Sequence, residues 1–313
     1  MHPTQFSSGD VIADRRADYA RMLAESGDPA AAVELMEQAL ELAPVWPAGL
    51  VRLADYAEKS GLPDKAITAL RAALSLDPED IFGAQLKLAL LGAEKMPDTP
   101  PSRYVEALFD DYADRFDTAL VERLDYSVPG KLAALVASRP RAEPFACVVD
   151  LGCGTGLFGA EIRQHVTRLE GFDLSANMLA RAQEKNLYDL LARADLSLDP
   201  EPSGLLAGGL ASHRADLVSA ADVLMYLGDL ANAFALAANL SQPGALFAFS
   251  VEDAATDEGF ALQPSLRYAH SEAHVRQRLA ENGFEVVKLE RTTIRMDGGK
   301  PVFGILFLAV RKP

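Results

Sequence analysis

Cysteine is nearly absent from this chain. Cys147 and Cys153 are the only two in 313 residues, which excludes a disulfide framework and cysteine-built zinc sites. Both thiols are expected to be reduced. The five histidines form no cluster at metal-ligand spacing, so no metal is expected. No apolar run approaches the ~18 residues needed to cross a bilayer, which argues against a membrane role. The opening MHPTQFSSGD has neither a basic nor an apolar leader region, and the expected address is the cytoplasm. Basic charge is also scarce: 30 Lys and Arg stand against 45 Asp and Glu, for a net −15. Residues 1–97 hold nine basic and fifteen acidic side chains, so neither half offers the basic stripe that phosphate neutralisation requires. Nucleic acid is therefore not the expected partner. What remains is a hydrophobic content of 49% and a length suited to about two globular domains at roughly 150 residues each.

The N-terminal part repeats itself every 34 residues. Tyr19 and Leu53, Ala20 and Ala54, Gly27 and Gly61, Ala32 and Ala66, Met36 and Leu70, Ala39 and Ala73, and Pro44 and Pro78 are such pairs. Small residues recur where two helices approach closely, larger apolar ones recur on the buried stripes, and a proline follows each second helix. The pattern resembles the tetratricopeptide repeat, with units over 13–46 and 47–80 and a third, closing helix within 81–95. An ordinary helical bundle is the alternative.

MPDTPP at 96–101 stops the helical pattern, because proline cannot continue a helix. The expected domains are accordingly 1–97 and 98–313. Residues 103–126 follow as one or two helices, with Tyr104, Leu108, Phe109, Tyr112 and Phe116 at three- and four-residue spacings. Short apolar strands then alternate with helices: 146–150, 168–173, 187–194, 215–219, 245–251, 284–295 and 302–311. Such alternation predicts a mainly parallel sheet with crossover helices. Only MDGGKP separates the last two strands, too short for a parallel crossover, so the sheet should end in a reversed hairpin.

The chemistry concentrates at VVDLGCGTGLFG, 148–159. There a strand passes into a helix through Gly152, Gly154 and Gly156, positions that let the backbone come close to a ligand. Asp150 ends the strand. Asp173, in LEGFDLS, ends the next strand 23 residues later, where a carboxylate can accept both hydroxyls of a ribose. Asp195 in RADL and Asp222 in ADVLMYLGDL add two more carboxylates at the same sheet edge. Each could instead be a turn or cap residue, and Gly154-Thr-Gly156-Leu-Phe-Gly159 also fits the spacing of an NAD-binding turn.

These motifs, with the SQPGALFAFSVE strand and the terminal hairpin, make 145–313 similar to the class I, seven-stranded S-adenosylmethionine-dependent methyltransferases. The whole chain resembles bacterial members that carry tetratricopeptide repeats. The resemblance implies an α/β Rossmann-like domain behind an all-α repeat domain, with S-adenosylmethionine as cofactor and no metal. It assigns the methionine part to Gly152, Gly154 and Gly156, with Asp150 near the amino group and Asp173 on the ribose hydroxyls. Leu174 and Met178 flank the adenine, Asp195 and Leu196 meet its N6 edge, and Asp222 completes the set. It makes 103–126 the lid, whose Tyr104, Phe109, Tyr112 and Phe116 cover cofactor and substrate; an ordinary core would show the same spacing.

Methyl transfer is an in-line displacement in which alignment does most of the work, so a dedicated base is optional. His270, just before the helix that Ser271 caps, is the candidate base, with Tyr226 at the transfer site and Arg267 and Tyr268 as substrate contacts. His270 and Tyr268 could equally pack the loop, Arg267 could form a salt bridge, and Tyr226 could wall the pocket. Cys153 reads as backbone support within the glycine turn. The expected function is methylation of a small molecule, with repeats that bind a partner or hold an oligomer. The alternatives are a protein-borne or carrier-borne acceptor captured by the repeats, and a non-catalytic adaptor.

Overall fold

The computed structural model describes residues 6–116, 126–254, 256–257 and 259–313. The chain divides into two compact units, Met1–Ala107 and Leu108–Pro313. This division falls inside a helix, ten residues past the point where the proline-rich stretch places it.

The first unit is helical: α1 (Val11–Glu25), α2 (Pro29–Leu42), α3 (Pro47–Lys59), α4 (Pro63–Leu76) and α5 (Ala84–Leu90). The 34-residue period appears directly in the turns. Asp28 and Leu62 each donate a backbone N–H to a carbonyl five residues back, on Leu23 and Ala57, and a proline opens the helix that follows. Alanine dominates the buried faces, with Ala13, Ala17 and Ala20 on α1 and Ala66, Ala69 and Ala73 on α4, which lets paired helices approach closely. Asp80 caps α5, its carboxylate accepting from Ala84 and Gln85 N–H at 2.6 and 2.9 Å.

The helix α6 (Ser102–Tyr112) spans the division between the units. Of the predicted lid, 117–125 lie outside the described residues. The second unit continues with α7 (Val128–Ala137), β1 (Phe145–Leu151), α8 (Leu157–Ile162), β2 (Val166–Asp173), α9 (Ala176–Glu184), β3 (Leu190–Arg193), β4 (Ala215–Ala220) and α10 (Ala231–Leu240). It closes with β5 (Ser241–Asp253), β6 (Phe260–Leu262), β7 (Tyr268–His270), α11 (Glu272–Glu281), β8 (Phe284–Asp297) and β9 (Lys300–Arg311).

The strands lie in the order β3-β2-β1-β4-β5, all parallel, and β9 and β8 follow β5 as an antiparallel hairpin. The turn of that hairpin is Gly298-Gly299, both at positive φ (54° and 78°), a conformation whose twist matches antiparallel strands and which favours glycine. Alternation along the strands supplies two cores. Val149, Leu151, Phe172, Phe247 and Phe249 face one side with Phe234 of α10 and Leu279 of α11. Val148, Leu169, Leu217 and Leu246 face the other with Leu132 of α7 and Phe158 of α8. Helices thus cover both faces, as a parallel sheet requires.

Two short strands were not foreseen. β6 and β7 pair with each other in antiparallel fashion, and β7 pairs in parallel with the last two residues of β5. The region predicted as a strand over 187–194 pairs only over Leu190–Arg193.

Phe307 of β9 is fully buried and stacks on Phe249 with ring centroids 5.1 Å apart. Phe307→Ala should cost about 3–5 kcal/mol of folding stability. Urea unfolding followed by circular dichroism checks it; a loss below about 1 kcal/mol would show that this core collapses around the gap.

Candidate functional site

The strand order changes direction between β1 and β4, and in open α/β sheets the crevice beyond the strand ends at such a point is where ligands bind. The glycine turn opens there. Gly152, Gly154 and Gly156 all have positive φ, at 62°, 54° and 89°. A side chain on Gly152 would drive into Val223, whereas above Gly154 the nearest atom, Phe116 Cε1, is 3.9 Å from where a Cβ would stand. Among the described residues, the turn is therefore closed at Gly152 and open at Gly154. Its N–H at Gly154 donates to Asp173 Oδ2 at 2.8 Å, and Ser175 N–H donates to Oδ1 at 2.8 Å. This ties the end of β2 to the turn after β1. Burial pushes Asp173 up to about 6, although its side chain keeps partial contact with solvent.

Asp150 has turned inward. It is 1% exposed, accepts hydrogen bonds from Tyr188 Oη at 2.7 Å and Ser219 Oγ at 2.8 Å, and burial pushes it up to about 7. Cys153, beside it in the turn, is a buried thiol pushed well above its usual range by burial. Nucleophilic chemistry there is disfavoured, since the thiolate is the reactive form.

Past Asp173, Leu174 is half-buried, whereas Met178 is fully buried in α9. Met178 therefore supports the loop and does not line an open adenine site, a correction to its expected place. Asp195 accepts from Ser197 N–H and Oγ at 2.9 and 2.6 Å, and Leu196 beside it is buried. Asp110, near the end of α6, docks on the same loop: Ser175 Oγ donates to Oδ1 at 2.5 Å, and Asn177 Nδ2 to its carbonyl at 3.0 Å. This latch holds Phe109, Tyr112 and Phe116 as one aromatic group. Phe109 meets Tyr226 edge to face at 4.9 Å, and Tyr112 meets Phe116 at 5.5 Å. Tyr104 does not join them; it packs over Gly83 in the first unit, so its expected lid role is withdrawn.

Asp222 is also placed differently from expectation. Arg295, 4% exposed on β8, grips it with Nη1 at 2.8 and 2.9 Å and pairs through Nη2 with Glu252 at the end of β5. Arg267 pairs with Glu252 and Asp297 at 2.8 and 2.5 Å. Asp222 thus neutralises a buried guanidinium and is not poised for a cofactor, and Arg267 is bound up in ion pairs where an anion-binding contact was expected. Tyr226 stands half-buried beside this network; burial raises its phenol, with Arg267 and Arg295 pulling the other way.

His270 and Tyr268 both lie in β7 with no exposed surface. His270 Nε2 is 2.9 Å from the carbonyl oxygens of Leu227 and Gly228, so this nitrogen carries the proton and donates. Burial pushes the imidazole down to about 4. The group expected to act as a base is instead a strut between β7 and the segment after β4. Tyr268 is core, packed against Phe260, and no substrate contact follows from it.

Three residues of this site escaped the sequence reading: Tyr188, Asp110 and Arg295. None carried a local signal: Tyr188 fits side chains that glycines elsewhere lack, Asp110 meets a loop 65 residues on, and Arg295 is one of several charged residues on β8. Among the described residues, no group of three or more His, Cys, Asp or Glu could hold a metal ion, and no helix is long and apolar enough to cross a membrane.

Comparison with known proteins identifies the family. The sequence pattern described as Methyltransferase domain matches residues 120–289, and the tetratricopeptide repeat pattern matches 15–45 and 48–80. Human methyltransferase-like protein 27 is 31% identical over 122 residues, 38% of this chain and 48% of that protein. The malonyl-acyl-carrier protein O-methyltransferase of Enterobacter lignolyticus is 32% identical over 117 residues, 37% of this chain and 43% of that protein. The chain thus spans about half the length of the curated relatives it matches. Magnesium protoporphyrin IX methyltransferase from Synechocystis PCC 6803, solved with bound SAH, shares the fold at a TM-score of 0.52 and 21% identity, over 67% of this chain and 99% of that one. With more than half of its length inside the first of these matches, the chain belongs to the methyltransferase domain family, as a class I member preceded by tetratricopeptide repeats.

Proposed function

We propose that this protein is an S-adenosylmethionine-dependent methyltransferase, and that its acceptor is a small molecule or a metabolite. One observation carries most of the reading: the Gly154 N–H bond to Asp173, at 2.8 Å, holds an open glycine turn and a partly exposed carboxylate as one rigid edge. The residues fit the cofactor. Among the described residues, no side chain comes closer than 3.9 Å to where a Gly154 Cβ would stand, and the partly exposed Asp173 carboxylate keeps acceptor capacity for ribose hydroxyls beside its backbone bonds. Gly152, Gly154 and Gly156 would hold the amino-acid part, and Leu174, Asp195 and Leu196 the adenine side.

Bound there, the cofactor supplies an activated methyl group on sulfur. The protein's own part is alignment and exclusion of water, which can supply roughly 7–11 kcal/mol of barrier lowering. Phe109, Phe116 and Tyr226 wall the opening over the turn, and the Asp110 latch keeps them there. Because His270 has no exposed surface and burial pushes its imidazole down to about 4, it is out of an acceptor's reach and a weak base. An acceptor already deprotonated at neutral pH, such as a carboxylate, needs none.

The repeat domain, assigned to 1–97, is a partner-binding or oligomer-holding module, and the methyltransferase domain begins at 98. A second reading has support of its own: the Enterobacter relative is named for a carrier-bound substrate, and this chain adds repeats able to recruit such a carrier. The cytoplasm is the proposed location, with neither nucleic acid nor a membrane as substrate.

Isothermal titration with S-adenosylmethionine, S-adenosylhomocysteine and NAD tests the cofactor. Micromolar binding of the first two and none of NAD is expected, and NAD binding alone would overturn the reading. Asp173→Ala should weaken S-adenosylmethionine about 10- to 100-fold while leaving the melting temperature within a few degrees; unchanged affinity would remove the ribose role. A chain of 98–313 should bind the cofactor within about threefold of the full chain. A rise in KM confined to malonyl-carrier protein in that shortened chain would support recruitment by the repeats, and an equal rise for free acids would count against it.

A further inference from the structure

Three glycines near the turn keep one slot clear, and the Tyr188 ring reaches all three. In register across the sheet, Asp150 of β1 lies beside Gly171 of β2 and Ser219 of β4. A Cβ on Gly171 would stand 2.7 Å from Tyr188 Cδ1, and one on Gly156 would stand 2.9 Å from its Cε2. A Cβ on Gly159 would collide with the Tyr188 hydroxyl itself. The ring is thus seated where β2, the turn and α8 all lack side chains. Its hydroxyl reaches Asp150 Oδ2 at 2.7 Å, opposite Ser219 Oγ on Oδ1. With 1% of its surface exposed, Asp150 depends on these two donors in place of water.

We propose that Tyr188 is a positioning residue of the cofactor site: its ring props the glycine turn, and its hydroxyl orients the Asp150 carboxylate and keeps it ionised for the cationic amino-acid end of the cofactor. The inference rests on the S-adenosylmethionine reading above. Burial pushes the Asp150 carboxyl up to about 7, Asp173 adds in the same direction, and the Tyr188 and Ser219 hydrogen bonds oppose both. The phenol of Tyr126 and the thiol of Cys153 also face it. A cationic ligand favours the ionised carboxylate, so affinity should rise as pH rises through about 7. Loss of the Tyr188 hydroxyl removes a bond to the charged form, so the carboxyl keeps its proton to higher pH.

The test is isothermal titration of the full chain with S-adenosylmethionine between about pH 5.5 and 9, for the wild type, Tyr188→Phe and Asp150→Asn, with thermal melts alongside. Tyr188→Phe keeps the ring in its slot. Its affinity profile should move upward by about one pH unit, with binding about 3- to 10-fold weaker at pH 7 and within about twofold of wild type at pH 9. Asp150→Asn should lose the step near 7 and stay weak throughout. Identical profiles for wild type and Tyr188→Phe would overturn the assignment and leave the cofactor reading standing. A Tyr188→Phe chain that fails to fold would also overturn it, because packing is assigned to the ring alone. A wild type that binds no S-adenosylmethionine at any pH would remove the cofactor reading and this inference together.

Discussion

Carboxylates withdrawn from water govern the C-terminal edge of this sheet. A buried charge is tolerated only where donors replace its lost hydration, and the four acidic groups here are satisfied in three ways. Asp150 takes two hydroxyls, from Tyr188 and Ser219. Asp222 and Glu252 take the guanidinium of Arg295. Asp173 takes two backbone N–H groups. The consequences differ. A guanidinium cancels the charge it meets, which makes Asp222 and Glu252 part of the scaffold. Backbone amides orient a carboxylate without cancelling it, and Asp173, unlike Asp150, also keeps partial contact with solvent. The partner of each group, more than its position along the strand, sets how much of its charge is cancelled.

The same distinction explains how much of the site was legible in the sequence. The strands β1 and β5 announce themselves because burial on both faces makes them mostly apolar runs, and the repeats because a period of 34 recurs in size and in proline. The turn was legible because a ligand-approaching backbone needs glycine at fixed spacing. Asp222 was misread because its partner Arg295 lies 73 residues away, and no local pattern links the two. His270 looked like a loop residue before a cap. The cap is real, with Ser271 Oγ accepting from His274 N–H at 3.2 Å, but the three residues before it pair as β7, too short for any alternation to register. Tyr188 carried no signal of its own, since its meaning lies in side chains that Gly156, Gly159 and Gly171 lack.

The contacts of α6 differ between its two ends. The front of α6 carries Tyr104, which packs on Gly83 in the first unit. Its rear carries Phe109 and Asp110, which meet Tyr226 and Ser175 in the second. A helical spacing of aromatics over 104–116 reads as one stripe, and the chain uses it as two. The charge at Asp110 adds to the acidity around Asp173, raising that carboxyl further, so the latch and the adjoining carboxylate are electrostatically coupled.

The terminal hairpin leaves β8 as an outer strand, since it pairs with β9 alone among the described strands. Open backbone donors and acceptors along such a strand invite a foreign chain to add itself. Along this one stand Glu285, Lys288, Glu290 and Arg291, exposed and of both signs. An incoming strand would have to strip water from these charges before it could pair. Resistance to strand addition is thereby carried by the same hairpin whose Arg295 holds Asp222 and Glu252 together.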